Sequence, residues 1–322
     1  MRTTIKKLCA AIFLCLAFGA NLHVCNAQDL APRAYLITPM HSNAVTISYS
    51  FLDGDLLFDG TVPITDATAR ANLSIFNFTR SLGLFGRTAS FTASLPYGVG
   101  NFRGTVADAE TNAYRSGLLP MSFRLSINLI GGPAMNLPEF VKWRQKHILG
   151  FSIRVVPRTG QYDPTKLINL GTNRWAFKPE LGYSRRWGHW ILDAYGGVWF
   201  YTTNPEFFSH NQFSPGTNTQ EQSPIGSFEG HLSYDFKPRL WVSLDGNYWF
   251  GGTTSLNGIQ NSSTFQGNSR VGVTASVPLS RRNSIKFSYS KGAYIRYGGN
   301  FDNVSVAWQY SWIGARVFGS DK

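Results

Sequence analysis

The feature that most limits how this chain folds is a two-residue alternation of apolar and polar side chains, sustained over about ten residues at a time. It is cleanest in three places. Val45, Ile47, Tyr49 and Phe51 alternate with Thr46, Ser48 and Ser50. Met121, Phe123, Leu125, Ile127 and Leu129 alternate with Ser122, Arg124, Ser126 and Asn128. Val304, Val306, Trp308, Tyr310 and Trp312 alternate with Ser305, Ala307, Gln309 and Ser311. Weaker copies are centred near residues 76, 91, 152, 181, 195, 232, 245, 274 and 287, which makes about twelve. The copy near 76 is the least regular, so its register is the first expected to move. A tilted strand needs about ten residues to cross a bilayer, and a strand apolar on one face alone suits a barrel wall.

Connection lengths point the same way. Those near 82–87, 185–189, 236–239 and 279–284 are short, whereas those near 53–67, 97–116, 157–174, 202–224 and 250–268 are long and rich in Gly, Asn, Ser and Pro. Long and short alternate, as they must when hairpins point in turn to opposite sides of a membrane. The connection over 130–147 breaks the rule; Leu137-Pro138-Glu139-Phe140-Val141 within it reads as a short helix with proline in its first turn. The expected fold is all-β: a transmembrane antiparallel up-and-down β-barrel of about 12 strands. A soluble sandwich is the bland alternative, but it needs a second apolar face to cover each row, and the opposite faces here are polar.

The ends agree. Arg2, Lys6 and Lys7 precede an apolar core from Leu8 to Ala20, and Cys25-Asn26-Ala27 is a small-residue boundary. This is the pattern of a secretory signal peptide cleaved after Ala27, the lipoprotein reading of Cys25 being disfavoured by the bulk of Val24. The expected organisation is a signal peptide over 1–27, a periplasmic N-terminal segment over 28–42 and an outer-membrane barrel over 43–322. Cys9, Cys15 and Cys25 all fall in the exported leader, so the mature chain holds no disulfide, zinc-thiolate site or cysteine nucleophile. Removing its three basic residues takes the formal charge from +12 to +9. For an exported chain the expected counter-charges are outer-membrane lipids and lipopolysaccharide phosphates, not nucleic acid. Aromatic residues gather at strand ends: Tyr97, Trp199 to Tyr201 and Tyr248 to Phe250 on one rim, and Trp187, Trp190, Trp241, Tyr310 and Trp312 on the other. They are expected to form two belts at head-group depth.

One stretch carries a family likeness. Pro157-Arg-Thr-Gly-Gln-Tyr162-Asp followed by Asn169-Leu-Gly-Thr-Asn-Arg-Trp175-Ala-Phe-Lys-Pro-Glu-Leu-Gly182 resembles the outer-membrane family named for the MetA pathway of phenol degradation. Leu95-Pro96-Tyr97-Gly98, Gly131-Gly-Pro-Ala134, Trp199-Phe-Tyr-Thr-Thr-Asn204 and Gly251-Gly252 are similar to it elsewhere. The likeness spans about residues 33–312 and implies an outer-membrane transporter for hydrophobic or aromatic compounds. The name describes a pathway association and not a ligand.

With apolar rows facing lipid, the alternate rows face the lumen. In strand order their charged members are Arg124, Arg154, Lys178, Glu180, Asp193, Glu229, His231, Asp235, Asp245, Arg270 and Lys286. Read around a closed barrel, this sets a basic arc opposite an acidic one, a field that would orient dipolar solutes. The alternative is that the charges pair across neighbouring strands and partly fill the interior. Tyr162, Arg174 and Trp175, beside Lys178, sit where a long loop enters the wall and are candidates for a gate or an aromatic shelf, or else for a loop anchor.

Catalytic and metal readings are weaker. His231 beside Ser233 invites comparison with barrel hydrolases, but residues i and i+2 of one strand are nearly 7 Å apart. Asp53, Asp55 and Asp59 lack the spacing of a calcium loop, and Gly98 to Gly104 does not fit the dinucleotide fingerprint. No catalytic residue, metal or cofactor is expected. The expectation is a monomeric outer-membrane channel passing small-molecule solutes by passive diffusion; an outer-membrane lipid hydrolase or a structural or adhesive barrel acting through its long loops is the alternative.

Overall fold

A strand that is apolar on one face and hydrogen-bonded along both edges is stable in lipid only when the sheet closes on itself. The computed structural model describes residues 30–57, 64–106, 109–212 and 214–314 and shows that closure. The leader expected over 1–27 lies outside them. The barrel strands are β1 (Ser42–Leu57), β2 (Ile64–Leu84), β3 (Arg87–Val106), β5 (Ser122–Ile130), β6 (His147–Val156), β7 (Ala176–Trp187), β8 (Trp190–Tyr201), β10 (Ile225–Lys237), β11 (Leu240–Gly251), β14 (Gln266–Pro278), β15 (Asn283–Tyr294) and β16 (Gly298–Ile313). Each pairs antiparallel with its chain neighbour. The ladder between β1 and β16, from Ser42↔Ile313 to Leu57↔Gly298, shuts the ring. The barrel of about twelve strands predicted from alternation is therefore the fold, with twelve.

Phe85 (φ 52°) and Gly86 (φ 72°) form the two-residue turn between β2 and β3; two positive φ angles give the twist that matches the flanking strands. The other short turns lie at that same end, where the N–H of Gly314 donates to the His41 carbonyl (2.8 Å) and brings the two described ends of the chain together. The exceptional connection there does contain a helix, α1 (Leu137–Lys142), with Glu139 Oε2 accepting from the N–H of Asn136 at 3.0 Å.

Two of the stretches expected as long loops are strand over their described residues. β2 and β3 run 21 and 20 residues, and β4 (Ala109–Leu118) extends their outer half as a further antiparallel strand. The glycines that read as loop signals there answer a packing need: a Cβ on Gly98 would come within 2.6 Å of the Leu119 side chain, and one on Gly100 within 2.6 Å of the Phe102 ring. The loop regions after β8 and β11 carry β9 (Gln220–Gln222), β12 (Thr254–Leu256) and β13 (Ile259–Asn261), a small separate sheet.

The alternation sorts side chains as expected. Ile47, Tyr49, Phe123, Leu125, Val304 and Trp308 are exposed on the outer wall, and Ser126, Ser152, Glu180 and His231 are buried within. The rim assignments need correction at three tryptophans. Trp199 and Trp249 are fully buried inside the barrel, while Phe200, Tyr248 and Phe250 face out; strict period two sends adjacent residues to opposite faces, so a run of three aromatics cannot share one belt. Trp241 also points inward, and the guanidinium of Arg33 lies over its ring at 4.2 Å. In the irregular β2, Phe76 is exposed on the outer wall whereas Leu73 and Ile75 border the lumen.

Candidate functional site

The inward rows enclose more than strand residues. The segment over residues 30–41 enters the lumen from the short-turn end and docks by its backbone as well as its side chains. Its N–H groups at Arg33 and Ala34 donate to Asp193 Oδ2 (3.1 Å) and to the Tyr195 hydroxyl (3.0 Å). Arg33 Nη2 meets Asp235 Oδ1 at 2.8 Å. Tyr35, 2 % exposed, donates to Glu180 Oε1 at 3.0 Å and shares a 3.0 Å hydrogen bond with Ser152 Oγ. Gly150 and Gly182 make room for its ring, since a Cβ at either would come within 2.2 Å of it. Ile37, Met135, Ile148 and Tyr195 complete an apolar cluster around Tyr35, with Phe140 of α1 packed against it.

Glu180 is the hub of the charges around this segment. It accepts from Arg124 Nη2 at 3.2 Å and meets Lys178 Nζ at 2.6 Å; Lys178 continues to Glu229 Oε1 at 3.1 Å. His231 Nδ1 lies 2.9 Å from Asp245 Oδ1, and Asp245 also accepts from Ser243 and Thr274 at 2.6 Å each. Removing one member of a buried ion pair costs about 3–5 kcal/mol, so this array is fixed filling on the β6–β11 side of the barrel. Opposed basic and acidic arcs across an open lumen are not what the structure holds. Long side chains let Arg124 and Lys178 each reach an acid two strands away in the ring, and the N-terminal segment lies between the remainder.

His231 is fully enclosed by its neighbours, the Tyr195 ring centroid standing 5.3 Å from its own. Ser233 Oγ is buried without a hydrogen-bond partner, so no bond joins it to His231 in the manner of a nucleophile and its base.

The other half of the lumen is open. The inward positions of β1, β15 and β16 carry short side chains such as Thr46, Ser48, Ser288, Ser305 and Ala307, and none of these reaches the array opposite. They border a cavity of about 2160 Å³, with Arg281, Arg282 and Ser311 at the short-turn end and Leu119, Pro120 and Thr172 at the long-loop end. Arg154, Arg270 and Lys286 also border it, with Lys286 exposed to its space and Ser276 and Ala307 as its cross-strand neighbours. The sequence made the inward parity of these hydroxyls plain but gave no reason to single them out. Arg33, Tyr35 and Tyr195 were missed altogether, because contacts across about 160 positions leave no local pattern.

At the long-loop end the residues proposed as a gate divide. Arg174 is buried, bonded to Gln222 and stacked over the Tyr201 ring at 4.4 Å. Trp175 faces the opposite way, 42 % exposed and stacked on Phe177 of the outer wall. The two cannot form one shelf, being consecutive residues entering a strand. Tyr162 ties its loop to the next, donating to the Glu206 carbonyl (2.9 Å) and accepting from Asn204 Nδ2 (2.9 Å). Asp163 turns the same loop. Hydrogen bonds from Thr165, aided by Lys166 at 2.9 Å, pull its carboxyl down to about 2.

A closed twelve-stranded ring with apolar outer rows, short turns at one end and an occupied polar lumen defines an outer-membrane β-barrel protein of a Gram-negative bacterium. Solved structures of that kind superpose on it. An outer-membrane channel from Pseudomonas putida F1 matches with a TM-score of 0.74 at 17% identity, over 88% of this chain and 100% of its own. The β domain of the Bordetella autotransporter Brka matches with a TM-score of 0.50 at 11% identity, over 84% of this chain and 100% of its own. No curated protein matches the chain by sequence. The profile of the family described as "Putative MetA-pathway of phenol degradation" matches residues 54–305, and the chain belongs to that family.

Proposed function

We propose that the protein is a channel through which small solutes, aromatic compounds among them, diffuse passively across the outer membrane. The observation that carries this reading is the cavity of about 2160 Å³ that reaches from one set of loops to the other along the short-residue wall. The filled half and the docked segment narrow the passage without occupying that wall. The likeness to an outer-membrane channel supports the same reading, and the family association with phenol degradation supports aromatic compounds as cargo. Closure leaves the membrane-embedded wall without a free strand edge, which favours a monomer contacting lipid and lipopolysaccharide directly.

Liposome swelling with a graded series of neutral solutes tests the proposal. The expected result is entry of small sugars and phenols with a sharp size limit, and a higher limit when residues 28–42 are deleted. If nothing enters in either form, the channel reading is wrong.

A further inference from the structure

The charge of the open path identifies what it favours. Among the described residues, twelve Arg and Lys side chains border the cavity, against two acids, Asp235 and Asp245. The remaining acids of the lumen among the described residues, Glu180, Glu229 and Asp193, do not border it; they are turned toward Lys178, Arg124 and the docked segment. With those three acids and Lys178 added, the balance is still thirteen cations to five. The excess is distributed along the whole path. Arg239, Arg281 and Arg282 stand at the short-turn mouth, and Lys286, Arg154 and Arg270 lie deeper in. Arg239 is held there by the carbonyls of Ser280 and Arg281, each 2.7 Å from its Nη1, which fixes the cation at the opening.

We infer that this path selects small organic anions, carboxylates above all, over cations and neutral solutes of equal size. A narrow passage with low-dielectric walls focuses the field of its fixed charges, and a cationic excess concentrates anions in it. The wall hydroxyls suit the same cargo. Ser288 and Ser305 share a hydrogen bond that uses one of their two O–H groups, so the pair can turn the other toward a carboxylate as it sheds water, whereas a cation meets few oxygens bearing full negative charge. The inference rests on the channel reading and adds the class of solute, which includes the carboxylates formed when aromatic rings are oxidised.

Planar-bilayer recordings of the full mature chain in a potassium chloride gradient separate the two readings. The expected reversal potential lies on the chloride side, with chloride about fivefold more permeant than potassium. Benzoate in place of chloride should carry current in the same direction. Lys286→Glu should lower the anion preference while leaving a measurable conductance. Should that variant fail to insert, Arg281→Gln with Arg282→Gln removes two exposed mouth charges and should shift the reversal potential toward zero. A wild-type reversal potential at zero or on the potassium side, with conductance present, overturns the anion inference and leaves the channel standing. Charge variants that insert without moving the potential overturn it equally. Absence of any conductance overturns both.

Discussion

Tyr35 shows how one residue couples the N-terminal segment to the charged half of the lumen. Its hydroxyl donates to Glu180 while its ring lies under the Arg124 guanidinium, 4.9 Å from centroid to Cζ. Burial pushes its phenol up to about 12, with the Glu180 carboxylate acting in the same direction. A group raised in the folded state stabilises docking fully below its ordinary value of 10 and loses that contribution as pH climbs through about 12. Conductance of the wild type is therefore expected to rise between pH 10 and 12 as the segment loosens, and the Tyr35→Phe variant, having no proton to lose, should show no such rise. An identical alkaline response in both forms would rule out Tyr35 as the titrating anchor. None of this was legible locally. The segment carries no periodicity, and Tyr35 acquires its partners only when β6 and β7 come to lie side by side.

Among elements, the docked segment and the strands beneath it are fitted to one another. Gly150 and Gly182 face inward on adjacent strands, paired in register, and together form the flat bed on which the Tyr35 ring rests. Gly182 ends the stretch that carried the family likeness, so a residue read there only as part of a motif has a physical task. The Gly182→Val variant should expel the segment while leaving the barrel ladder intact, raising conductance toward that of a chain lacking residues 28–42. A folded Gly182→Val channel with wild-type conductance would show that the segment does not limit the passage. Strand parity was legible throughout, because a period of two is imposed by the pleat itself. Strand ends were not. The outer half of β3 is rich in glycine and polar residues, so its pairing with β4 was hidden behind a loop-like composition.

For the molecule as a whole, sequence and structure agree on the ring, and of the two arrangements the sequence left for its charges the structure holds the paired, partly filling one. Arg124, Lys178, Glu180 and Asp245 were all placed inward by alternation. A linear pattern, however, does not distinguish charges that oppose each other across water from charges that bond to a neighbour. Nor does it separate the filled wall from the open one, since serine, threonine, arginine and glutamate are all simply polar in a two-letter pattern. The distinction arises from side-chain length once twelve strands share one circumference.

Cysteine accessibility shows whether solutes follow the short-residue wall past a fixed interior. The only cysteines are at positions 9, 15 and 25, so single cysteines within the barrel report without background. Ser48 borders the cavity, whereas Ser227 faces inward but is 2 % exposed in the filled half. During bilayer recording, a membrane-impermeant methanethiosulfonate reagent should modify the Ser48→Cys channel and lower its conductance by about half or more. The Ser227→Cys channel should remain unmodified. Block at position 227 with none at position 48 would place the path among the paired charges of β6–β11 and not along the short-residue wall.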